Sequence, residues 1–119
     1  MNTFEALTKI ADLLAKGKIK ETLEYYGESP DSTPSLSECI QWIDELLSSL
    51  PDDIKTKYSF ELNGIHNEIE DLKTGHYYER LDRRGVPLIS TIGDRLSYRI
   101  SLLETAVMNG QPGFLEQNI

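Results

Sequence analysis

Apolar residues recur at three- and four-residue steps along most of this chain, and sustained two-residue alternation occurs nowhere. That period gathers apolar side chains into one stripe of a helix and offers no pleated surface to a sheet. Phe4, Leu7, Ile10, Ala11 and Leu14 make the first stripe. Thr3 is placed to cap its start, Gly17 to close it in the left-handed conformation, and Lys16 to sit by the negative end of its dipole. A second, short helix is expected from Lys18 to about Tyr26, with Ile19, Leu23 and Tyr26 on one face and Gly27 at its end. Two helices joined at one glycine should cross at an angle and form a corner.

Gly27 to Pro34 reads as a surface loop, because it holds a glycine, two prolines and small polar residues. Ser35-Leu36-Ser37-Glu38 then has the form of a capping box. The helix it opens should run to about Leu50 on a stripe of Leu36, Ile40, Ile43, Leu47 and Leu50, broadened by Cys39 and Leu46. Pro51-Asp52-Asp53 suits the first turn of a fourth helix. Ile54, Tyr58, Glu61 or Leu62, Ile65, Ile69 and Leu72 give that helix a long seam ending at Thr74-Gly75, with Gly64 weakening its centre by about 1 kcal/mol relative to alanine. Between residues 76 and 88, Tyr77, Tyr78 and Leu81 fit one helical turn, and Arg83 to Pro87 reads as loop. The last helix is expected from about Ser90 to Met108, on Ile89, Ile92, Leu96, Ile100, Leu103 and Val107, with Asn109-Gly110 closing it. The fold class is therefore all-α: a compact bundle of four to five helices, forming one domain over residues 1–110. Residues 111–119 read as a mobile tail, in which Phe114 and Leu115 are apolar enough to dock back.

At 119 residues the chain suits one domain. A chain of this size buries roughly 65% of its unfolded surface, so a core needs no covalent staples. Cys39 is the only cysteine, which rules out an intrachain disulfide and fits a reducing compartment. The first residues carry no basic segment followed by an apolar one, as a secretory signal would. No apolar run approaches the roughly 20 residues of a membrane helix. A soluble, cytoplasmic protein with no membrane partner is expected.

Charge is distributed unevenly. From Glu21 to Ile54 there are nine acids and no lysine or arginine, whereas all five arginines follow, at Arg80, Arg83, Arg84, Arg95 and Arg99. The whole net charge of −8 belongs to residues 1–75, with 76–119 neutral. A surface of that sign repels phosphate backbones, which argues against nucleic-acid binding. Glu21, Glu24, Glu28, Asp31, Asp44 and Glu45 are candidates for an acidic interaction face, and the five arginines for a basic one that engages acidic surface on another chain, a second copy included. Internal pairing of the two faces is the competing reading. Tyr25, Tyr77 and Tyr78 are candidate aromatic anchors, since tyrosine is favoured at binding hot spots.

A search for chemistry returns nothing comparable. His66 and Glu70 share a helix face, but two ligands do not make a metal site. There is no His-Glu-x-x-His, no cysteine pair and no phosphate-binding Gly-x4-Gly-Lys. Neither His66 nor His76 has an arginine five to seven residues ahead of it, as a helical ribonuclease of that pattern requires. Cys39 lies on the apolar edge of its helix and reads as packing rather than as a nucleophile. No catalytic residue, metal ligand or cofactor is assigned.

Two pieces carry a family resemblance. Ile10-Ala11-Asp12-Leu13-Leu14-Ala15-Lys16-Gly17-Lys18-Ile19-Lys20-Glu21-Thr22-Leu23-Glu24 resembles the opening of effector-associated domains. Leu88-Ile89-Ser90, followed by Asp94 to Leu103, is similar to their closing helix. These are small death-domain-like helical adaptors of bacterial conflict and antiphage systems. The resemblance implies a non-enzymatic role: recruiting an effector, such as a protease or nucleotide hydrolase, through domain–domain contact, homotypic contact included. The alternative is a small acidic inhibitor, such as a phage anti-defence protein, whose acidic face mimics nucleic acid.

Overall fold

The computed structural model describes residues 2–29, 32–77 and 88–113, and every regular element among them is helical. In chain order these are α1 (Thr3–Ala15), α2 (Lys20–Tyr25), α3 (Leu36–Ser48), α4 (Asp52–Lys57), α5 (Ser59–Thr74) and α6 (Ile89–Met108). The all-α bundle expected from the apolar period is what forms. The tyrosine turn after residue 77, the loop from Arg83 to Pro87, and Phe114 with Leu115 lie outside the described residues.

α1 starts one residue earlier than its expected cap: the Asn2 side chain, not Thr3, accepts from the Glu5 amide at 2.8 Å. It ends in a Schellman motif. Lys18 N–H reaches the Leu13 carbonyl at 2.8 Å and Gly17 N–H reaches that of Leu14 at 3.2 Å, a geometry that needs the left-handed φ of 68° that Gly17 adopts. The chain then passes through Gly17 into the second helix. Ile19 becomes the cap of α2, which starts at Lys20, two residues later than expected. α2 buries Thr22, while Tyr26 stays half exposed at 51%. With six residues α2 is too short to hold a wide apolar face.

α3 opens as expected, with the Glu38 amide donating to Ser35 Oγ at 3.1 Å. The second arm of the capping box differs: Ser35 Oγ donates to the Glu38 carboxylate at 3.4 Å. Glu21 supplies a further cap, accepting from the Leu36 amide at 2.9 Å, while Lys20 N–H donates to the Pro34 carbonyl at 2.8 Å. The starts of α2 and α3 are thereby tied across the loop. The Lys55 ammonium donates to the Ser48 carbonyl at the other end of α3.

The single long fourth helix expected from Pro51 to Thr74 is two helices. The break falls at Tyr58, whose φ and ψ of −111° and 31° leave the helical region. The reason is tertiary. Tyr58 is buried, and its hydroxyl meets the carbonyl oxygens of Ala106 at 3.2 Å and Gln111 at 2.5 Å. Those bonds attach the α4–α5 joint to the end of α6, where Gln111 N–H donates to the Ala106 carbonyl. Gly113 is also buried, and a Cβ on it would collide with the Lys57 carbonyl. Residues 111–113 are therefore docked, whereas a mobile tail was expected from Gln111.

α6 is the central element, packed against α1 along one side and α5 along another, with α3 reaching both α1 and α5. The α1–α6 crossing is close because Gly93 has no side chain: a Cβ there would lie 2.4 Å from the Ala15 nitrogen. Leu7, Leu14, Ile43, Ile65, Leu96 and Ile100 are among the side chains the core encloses completely. Among the described residues no helix is long and apolar enough to cross a membrane.

Candidate interaction groove between two helices

On the α5–α6 seam Glu68 is a carboxylate only 7% exposed. Glu68 is flanked by two arginines one turn apart on α6. Arg99 Nε lies 3.5 Å from Oε1, and Arg95 Nη1 lies 3.9 Å from Oε2. Both arginine side chains remain about half exposed, at 51% for Arg95 and 46% for Arg99. Oε2 of Glu68 is buried and makes no hydrogen bond among the described residues. Two guanidinium groups thus share one carboxylate, leaving one positive charge over.

Gly64 lies one turn before Glu68 on α5. A Cβ at Gly64 would stand 2.4 Å from Arg99 Nη1 and 3.3 Å from its Cζ. The missing side chain is what lets the guanidinium lie across the α5 backbone. Beyond it the two helices leave an open groove of about 620 Å³. Gly64 and Ala106 lie along it, Phe60 and Leu102 line it while about half exposed (49% and 53%), and Gln111 and Pro112 line it where the chain leaves α6. Asn63 and Asn67 add amides and Glu61 a carboxylate. Residues 60 to 67 on α5 and 99 to 106 on α6 each span two turns, about 10 Å.

The acidic candidates divide. Glu21 is engaged as the α3 cap. Asp44 binds Lys73 at 2.8 Å, and that hydrogen bond holds the lysine above its ordinary pKa. Glu45 accepts from the Gln41 amide at 3.0 Å. Glu24 and Glu28 are exposed, beside Tyr25 and Tyr26, which are half exposed and stack edge to face with ring centres 5.4 Å apart. Lys16 lines the same shallow depression as Tyr26 and Glu28, so lysine from the α1–α2 corner borders this surface. Tyr77 is half-buried against the core. Asp31, Tyr78, Arg80, Arg83 and Arg84 lie outside the described residues. Of the five arginines, Arg95 and Arg99 come together, and their carboxylate is Glu68, not one from the acidic block.

Cys39 is fully buried, as its place on the stripe suggested. Burial, with the Glu21 and Glu38 carboxylates adding to it, pushes its thiol up to about 11. A thiol held protonated is no nucleophile near neutral pH. Among the described residues no group of three His, Cys, Asp or Glu side chains is placed to hold a metal ion.

Sequence reading missed Phe60, Leu102 and Trp42. Each is a large apolar residue off its helix's core-facing stripe, and Trp42 stands 38% exposed on α3 between Glu38 and Glu45. Apolar residues stranded on a polar face were the available signal. No protein-family model matches the chain, and no curated protein or solved structure matches it either.

Proposed function

We propose that this chain is a non-enzymatic helical adaptor that holds a protein partner in the α5–α6 groove. The observation that carries the reading is the pairing of half-exposed Phe60 and Leu102 with the open groove of about 620 Å³ between α5 and α6. Exposed apolar side chains beside a concave, roomy surface are what partner side chains fill. The arginine-edged rim supplies selectivity by charge. The role fits the resemblance to effector-associated domains, and recruitment of an effector within a bacterial antiphage or conflict system is the setting we propose.

The test is direct binding. Effector proteins encoded beside this gene are titrated against the purified chain and against Leu102→Gln. A groove-borne contact loses about tenfold in affinity or more with that substitution, as loss of a buried apolar anchor does. Equal binding by both proteins removes the groove from the function. Binding to a basic nuclease, abolished by Glu24→Lys with Glu28→Lys and competed by DNA, supports the inhibitor reading instead.

A further inference from the structure

We infer that the occupant of the groove is an amphipathic helix of the partner protein, carrying apolar residues three or four apart and a carboxylate about one turn beyond them that meets Arg99. The inference rests on the adaptor reading and adds the chemistry of what is bound.

The groove lies between two helices whose backbones are already bonded within themselves, and no strand edge borders it among the described residues. An extended peptide would have to satisfy its own N–H and C=O groups on scattered side chains, Asn63, Asn67 and Gln111 among them, beside apolar Phe60, Leu102 and Pro112. A helix satisfies its backbone internally and presents side chains alone. Its apolar face suits the Phe60–Leu102 end, and the two-turn length of the groove accommodates two apolar anchors.

Charge fixes the direction. At one end Arg95 and Arg99 share the single carboxylate of Glu68, at separations of 3.9 and 3.5 Å that are ion pairs without hydrogen bonds. Among the described residues neither guanidinium makes a hydrogen bond, so the donor fork of Arg99 is available. An arginine fork takes a carboxylate in two parallel bonds. The partner's acid therefore belongs at the Arg99 end.

The purified chain is used to select from a displayed library of helical 16-residue peptides. The expected winners share two apolar residues at a three- or four-residue spacing and an Asp or Glu one turn on. A winning peptide should bind Arg99→Gln about tenfold more weakly, and Gly64→Ala, which displaces the guanidinium while keeping its charge, more weakly too. Its affinity should fall as salt rises, and Arg99→Lys should recover part of it. Circular dichroism on each variant establishes that the helices remain. Winners that lose affinity with Leu102→Gln but carry no acid, or ignore Arg99→Gln, overturn the carboxylate and leave the adaptor reading standing. Winners indifferent to Leu102→Gln, or no winners at all, overturn both.

Discussion

Replacing Gly93 with alanine puts a methyl carbon 2.4 Å from the Ala15 nitrogen and 2.8 Å from both Ala15 Cα and the Leu14 carbonyl carbon. All three are backbone atoms, so no side chain can swing aside. Reaching ordinary contact requires α1 and α6 to separate by about 1 Å, and a gap of that size forfeits a quarter to a half of the dispersion energy between facing atoms. The crossing is the largest helix contact in the fold, and it includes fully buried Leu7, Leu14, Ile92 and Leu96. Overpacking of this kind costs about 1–3 kcal/mol, and here the upper end applies. Alanine returns about 1 kcal/mol of helix propensity. The net loss is then about 2 kcal/mol. At about 2 cal/mol/K of unfolding entropy per residue, a chain this long should melt about 8 °C lower. Scanning calorimetry measures it. Gly64→Ala is the internal control, because its methyl meets only the flexible end of Arg99. It keeps the alanine gain of about 1 kcal/mol and returns part of it as Arg99 moves aside, so it should melt between the parent temperature and about 4 °C above it. A Gly93→Ala protein as stable as the parent, or two variants equally destabilised, would refute the packing argument.

Tyr58→Phe removes the bonds to the Ala106 and Gln111 carbonyls and should cost about 1–2 kcal/mol in urea unfolding. It should also speed amide exchange at Gln111, and unchanged exchange would mean the strap is held by other contacts. Glu21→Gln weakens the α3 cap and should cost about 0.5–1 kcal/mol, mostly lost in high salt; a loss independent of salt would contradict the electrostatic account. Cys39 should resist aromatic disulfide reagents at pH 8 until the chain is unfolded. Because its folded pKa of about 11 exceeds the ordinary value of 9.0, its contribution to stability is complete below pH 9 and is lost as pH rises through 11. Rapid labelling of the folded protein would show that the thiol is reachable.

The helices were legible because burial imposes a period that sequence records directly. Ile92, Leu96, Ile100 and Leu103 are buried as their spacing indicated. What escaped was set by contacts between elements. The break at Tyr58 follows from carbonyl groups some fifty residues away, and nothing local to Ser59 announces it. Nothing in the sequence around Glu68 marks it as buried, and only the fold brings Arg95 and Arg99 over it. The charge segregation was real in sequence yet only partly real in space: Glu21 and Asp44 became structural partners, and Lys16 came to border Glu28. The groove was legible only as its residue left-overs, Phe60 and Leu102.

Glu68 also settles how far α5 sits along α6. Leucine and isoleucine on facing helices are nearly interchangeable, so sliding α5 by one turn, about 5.4 Å, would leave apolar side chains against apolar side chains. Because the two arginines stand one turn apart, the same slide would leave the buried carboxylate beside only one of its two guanidinium groups and weaken its compensation. One acid on an oily seam thereby acts as a registration mark between the two helices that form the groove.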